Sequence, residues 1–127
     1  MIVDIDMKLP SLNDYVKACR TNAYIGAKMK RDVEEQIGWF LTGVPRFEHP
    51  VVIQFTWIEK DNRRDYDNIA FAKKFVLDAL VKCGKLKDDN RRCVVGFSDS
   101  FLNGDRTHVL LGIKEVEGRS NDNRKTK

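Results

Sequence analysis

At 127 residues the chain has room for one domain with a real core and too little for two. A composition of 42% hydrophobic and 33% charged residues, with a net charge of +4, suits a soluble protein of mixed surface sign, and so modest a basic excess does not by itself indicate nucleic acid. No segment approaches the roughly 18 apolar residues of a membrane span, and Asp4 and Asp6 stand where a secretory signal needs a basic start, so a cytoplasmic protein is expected. Cys19, Cys83 and Cys93 are odd in number and unclustered, which excludes a disulfide framework and a zinc site and predicts buried thiols. His49 and His108 lie far apart with no nucleophile motif, which leaves a hydrolytic triad without support.

In chain order, Val3, Ile5 and Met7 alternate with Asp4 and Asp6, the period of a strand with one face buried. The turn and cap formers at 9–14 predict a following helical stretch that ends near Leu41, before Gly43 and Pro45, with Gly26 as the point of interruption. Residues 50–58 are β-branched and aromatic with few charges, and predict a central strand. A second helix is expected over 67–83, stopped by Gly84. On its wheel Asp67, Lys74, Asp78 and Lys82 share one sector, opposite Ile69, Ala72, Val76, Ala79, Leu80 and Cys83. Two further strands, near 92–98 and 107–115, are joined by Asn103, Gly104 and Asp105 in what reads as a hairpin. These elements sum to an α+β, two-layer single domain over 1–117, with a mixed sheet of about four strands and two main helices; the polar tail 118–127 is expected to be disordered.

The basic excess falls after residue 60, but the neutral first half contains an acid-free run, 15–31, with Lys17, Arg20, Lys28, Lys30 and Arg31. A solvated helix face or a phosphate-facing surface both fit that run.

Chemistry concentrates around Asp65 and Asp67, which flank Tyr66 where a loop meets a helix. Alternate residues of an extended segment project to one side, so both carboxylates can reach one hard cation, with a helix N-terminus beside any phosphate it holds. Asp88 and Asp89 follow the same helix and must be carried back by a return of the chain. An EF-hand loop is excluded, because the sixth and twelfth positions from Asp65 are Ala70 and Val76, where glycine and glutamate are needed.

The string Arg64-Asp65-Tyr66-Asp67-Asn68, then Asp78-Ala79-Leu80, Gly84 and Asp88-Asp89, closely resembles the RusA family of Holliday junction resolvases. Leu9-Pro10-Ser11-Leu12-Asn13 is similar to that family's proline-serine-asparagine loop, so the resemblance runs in order through about two thirds of the chain. It implies a homodimeric, bacterial or phage-encoded endonuclease that nicks four-way junctions and other branched DNA with Mg²⁺, Mn²⁺ being a possible substitute. By position Asp65, Asp67 and Asp89 match the metal-binding carboxylates, and Asn13, Lys17, Arg20, Lys28, Lys30 and Arg64 are the expected DNA contacts. A non-catalytic DNA-binding module and a less selective metal-dependent nuclease remain alternatives. The chain has three more residues between Asp67 and Asp78 than the short family form, as in phage and mobile-element relatives, so Phe71 stands where the short form has its lysine. On a continuous helix Lys74 lies within about 20° of the Asp67 face and Lys73 about 120° away, which makes Lys74 the expected catalytic lysine.

Overall fold

The computed structural model describes residues 1–116; the tail expected to be disordered lies outside the described residues. Its elements are β1 (Ile2–Ile5), α1 (Leu12–Thr21), α2 (Ala23–Phe40), β2 (Val51–Glu59), α3 (Tyr66–Ala70), α4 (Lys73–Lys82), β3 (Val94–Asn103) and β4 (His108–Glu115). They form the expected α+β architecture, one mixed four-stranded sheet with helices against a single face. Along β2 every other residue from Val51 to Glu59 is buried and the residues between are half-buried, so one face of the sheet meets the helices and the other is open. Ile53, Phe55 and Trp57 of β2 meet Val33 and Ile37 of α2, Phe75, Val76, Ala79 and Leu80 of α4, and Val109, Leu111 and Ile113 of β4 in one core. Full burial of each such side chain contributes on the order of 1.5–3 kcal/mol.

The expected hairpin between the last two strands does not form. The strand order is β1-β4-β2-β3, with β3 parallel to β2 on one side and β4 antiparallel to it on the other. The 104–107 link therefore passes the end of β2, where Gly104 N donates to Glu59 O at 3.0 Å and Lys60 N donates to Thr107 Oγ1 at 3.3 Å. A Cβ on Gly104 would stand 2.6 Å from Ile58 Cγ2, so this close pass requires glycine. Burial demand explains the order. Val109, Leu111 and Ile113 need an interior position opposite Trp57, Phe55 and Ile53, whereas β3, with Ser98 and Ser100 exposed, tolerates an edge.

Neither predicted helix is continuous. The first breaks at Asn22, which is extended (φ −171°, ψ 163°) and caps α2 by accepting from Ile25 N at 2.8 Å, because a short amide side chain satisfies a helix start better than a helix interior. Gly26 is not the break. It is the contact, since a Cβ there would stand 2.6 Å from Cys19 Sγ and hold α1 and α2 apart. Ser11 and Asp14 form a reciprocal capping box at the start of α1, at 3.1 and 2.9 Å.

The second predicted helix divides into α3 and α4, with tight turns in which Ala72 N donates to Ile69 O and Lys74 N to Phe71 O, both at 3.1 Å. Gly84, at φ +74°, follows the end of α4 as expected. Cys19 and Cys83 are exposed and Cys93 is partly so, contrary to the expectation of buried thiols; Cys83 sits at the end of α4, beyond the core-facing turns. No helix among the described residues is long and apolar enough to cross a membrane.

Candidate active site

The loop 9–13 and the 64–68 segment, distant in sequence, are joined by two hydrogen bonds. Asn13 N donates to Asn68 Oδ1 at 3.1 Å, and Arg64 Nη1 donates to Leu9 O at 2.9 Å. Below them Tyr15 stacks on Phe71 and meets Phe75 edge-on, with ring centroids 5.7 and 5.6 Å apart, which seats α1 against α3 and α4. Arg64 makes a two-pronged pair with Glu59, Nε to Oε1 at 3.0 Å and Nη2 to Oε2 at 2.7 Å, with both side chains largely buried. The residue expected to touch DNA thus has its guanidinium committed within the protein.

Asp65 occupies the N-cap of α3, yet its side chain makes no capping hydrogen bond. An aspartate at that position ordinarily accepts a backbone N–H of the first turn, so here the carboxylate is spared from the duty that would explain it structurally. Asp67, in the first turn, is exposed and among the described residues accepts only from the neighbouring Asn68 N, at 3.0 Å. Because α3 has five residues, Tyr66–Ala70, the expected anion-binding helix terminus is reduced to a single short turn.

Asp89 lies against the flank of α4. Lys74 Nζ lies 3.7 Å from Asp89 Oδ2 and 3.3 Å from Asp78 Oδ1. Lys73 points elsewhere. Its ammonium pairs with Asp99 Oδ2 at 2.8 Å and sits 4.0 Å from the Phe97 ring centroid, while Trp57 Nε1 donates to Asp99 Oδ1 at 2.8 Å. Asp99 is thereby held between α4 and the sheet.

From Asp89 a chain of charges continues inward. Asp78 also pairs with Lys30 at 3.0 Å, Lys30 contacts the buried Glu34, and Lys82 Nζ stands 2.7 Å from Glu34 Oε1, close enough for attraction but poorly aligned for a hydrogen bond. Burial pushes the Asp78 carboxyl up, but hydrogen bonds from Lys30 and Lys74 outweigh it and hold its pKa below the ordinary value. Burial likewise lowers the Lys30 ammonium, and Glu34 and Asp78 more than offset this, so its pKa is raised.

The basic run divides in two. Lys28 pairs with Asp32 at 2.7 Å and Lys30 with Glu34 and Asp78, whereas Lys17 and Arg20 have no acidic partner among the described residues. Lys17 also lines a groove with Lys8, Pro10 and Asp14, beside the 9–13 loop. On a DNA-binding surface, Lys17→Ala and Arg20→Ala are each expected to lower the slope of log affinity against log salt by roughly one, and Lys28→Ala to change it little. Equal slopes for all three variants and the parent would make the run a solvated face.

Asp65, Asp67 and Asp89 offer only carboxylate oxygens, a donor set that fits a hard divalent cation. They are not drawn together in advance. Among the described residues the set of three ligand groups lying within 4.8 Å of one another is Asp4, Asp6 and His108, which sequence reasoning missed because His108 reaches β1 only through the β1–β4 pairing. The carboxylates of that set already have partners within the protein: Arg106 bonds Asp6 at 2.7 Å and Asp4 at 3.2 Å, and His108 Nδ1 lies 2.7 Å from Asp4 Oδ1. No protein-family model matches the chain, and no curated protein matches it.

Proposed function

We propose that the chain is a divalent-metal-dependent endonuclease that cuts branched DNA, four-way junctions above all, as a homodimer. The observation that carries this reading is the idleness of its carboxylates. Asp65 does not cap, Asp67 makes one local bond, and the ion partner of Asp89 is the exposed Lys74, in a protein whose other acids are widely paired. Bound Mg²⁺ would polarise the scissile phosphate and lower the pKa of a water that attacks in line.

The protein's own part is to hold the phosphate and balance charge. Asp65, Asp67 and Asp89 would hold the cation, and Lys74, displaced from Asp89 as the cation enters, would be free to stabilise charge on the phosphate. Lys74→Ala is expected to slow single-turnover cleavage about ten-fold, some 1.4 kcal/mol, through loss of that charge. Lys73→Ala should leave the rate per folded molecule unchanged while weakening the anchorage of Asp99. Equal rates for both variants would return Lys74 to a surface ion pair with Asp78.

The reading itself is tested with end-labelled four-way junction, duplex and single strand, each incubated with Mg²⁺ and with EDTA. The expected result is paired symmetric nicks in the junction with Mg²⁺ alone. Equal cutting of all three substrates would indicate a less selective nuclease, and binding without any cutting a DNA-binding module.

A further inference from the structure

Tyr66, between Asp65 and Asp67, is 66% exposed although one face of its ring is covered by Phe101 of β3, with centroids 4.2 Å apart and planes 15° from parallel. Its other face is therefore open to solvent. The pair borders a groove of about 270 Å³ lined also by Asn62, Arg64, Asp65, Ile69 and Asn103. Asn103 Nδ2 donates to Asn62 Oδ1 at 3.0 Å, so the Asn62 amide nitrogen and the Asn103 amide oxygen are left without a partner among the described residues. An adjoining groove, which shares Glu59, Asp61 and Arg64, brings in Lys60 and the highly exposed Arg63, whose Nε lies 3.8 Å from Asp61 Oδ2.

We infer that Tyr66 and Phe101 form a stacking platform for one unpaired nucleobase beside the Asp65 and Asp67 carboxylates, an inference that rests on the nuclease reading. An open aromatic face already stacked from behind, with one free amide donor and one free amide acceptor at its side, matches a flat heterocycle with a polar edge better than an aliphatic side chain. Lys60 and Arg63 supply positive charge for the attached phosphates. A base inside a duplex is stacked on both faces, so the platform takes only a base that is extruded or unpaired, which is what a branch point presents. The platform would thereby set a strand's register against the carboxylates and favour branched over continuous DNA.

The test is branched DNA carrying 2-aminopurine at an unpaired position next to the branch, titrated in EDTA with the parent protein, Tyr66→Phe and Tyr66→Ala. Stacking should quench the fluorescence with the parent and Tyr66→Phe. Tyr66→Ala should lose the quenching and bind branched DNA about ten-fold more weakly, with duplex affinity within about two-fold of the parent. Unchanged quenching and affinity in Tyr66→Ala, an equal loss on branched and duplex DNA, or a change of molar mass in light scattering that marks the ring as a protein contact would each overturn the platform. A parent that quenches but never cleaves in Mg²⁺ supports the platform and sinks the nuclease reading. One that cleaves junctions without quenching sinks the platform alone.

Discussion

Asp65→Asn, Asp67→Asn or Asp89→Asn is expected to reduce single-turnover junction cleavage by a thousand-fold or more, about 4 kcal/mol of activation free energy, while binding in EDTA stays equal or tightens. Each change removes one negative ligand at nearly constant shape. Cation affinity and hence the polarisation of the phosphate fall, but so does repulsion between the site and DNA, and the two effects pull chemistry and affinity apart. Stability should hardly move, because none of the three is buried and Asp65 makes no capping bond whose loss would cost about 1 kcal/mol. The measurement is cleavage and gel shift on the same preparations, with thermal unfolding alongside. A variant that cuts at the parent rate removes that residue from the site.

The second large effect is on folding. Arg64→Ala should lower stability by about 3 kcal/mol, because it leaves the buried Glu59 carboxylate without its two-pronged partner and frees the Leu9 carbonyl that ties the 9–13 loop. For a domain of this size that is a fall in Tm of roughly 10 °C. Arg64→Ala combined with Glu59→Ala should recover part of it, since the larger cost lies in the stranded charge and not in the lost pair. If Arg64 instead faced DNA, Arg64→Ala would keep its Tm and lose only affinity. Thermal unfolding of the single and double variants without DNA separates these outcomes.

Much of this was legible in the sequence, for reasons that particular residues make plain. Val51–Glu59 alternates so regularly, and is so poor in charge, that only a central strand satisfies it. The cap at Ser11 and the stop at Gly84 are local signals that need no tertiary partner. That Lys73 and Lys74 point in different directions also followed from helix geometry, because both lie in the first turn of α4, but the break between α3 and α4 removes the continuous helix on which their angles to Asp67 were reckoned.

What escaped depended on non-local competition. Asn103, Gly104 and Asp105 look like a hairpin turn, but β2 takes the place between β3 and β4 because burying Val109, Leu111 and Ile113 outweighs a local turn preference. The partners of Lys30 lie on two helices, and only packing of α2 against α4 brings Asp78 to it. The commitment of Arg64 to Glu59 was equally hidden, since a motif arginine reads the same whether it meets a phosphate or a buried carboxylate.

Whether Asp65, Asp67 and Asp89 hold a divalent cation is read without reference to activity by Mn²⁺ titration, followed through the loss of the free-ion EPR signal. Saturable binding is expected for the parent, at least ten-fold weaker in Asp65→Asn, Asp67→Asn and Asp89→Asn, and unchanged in Asp4→Asn, whose carboxylate Arg106 and His108 already occupy. Binding lost in Asp4→Asn and retained in the other three would instead place the metal at Asp4, Asp6 and His108 and leave Asp65, Asp67 and Asp89 without one.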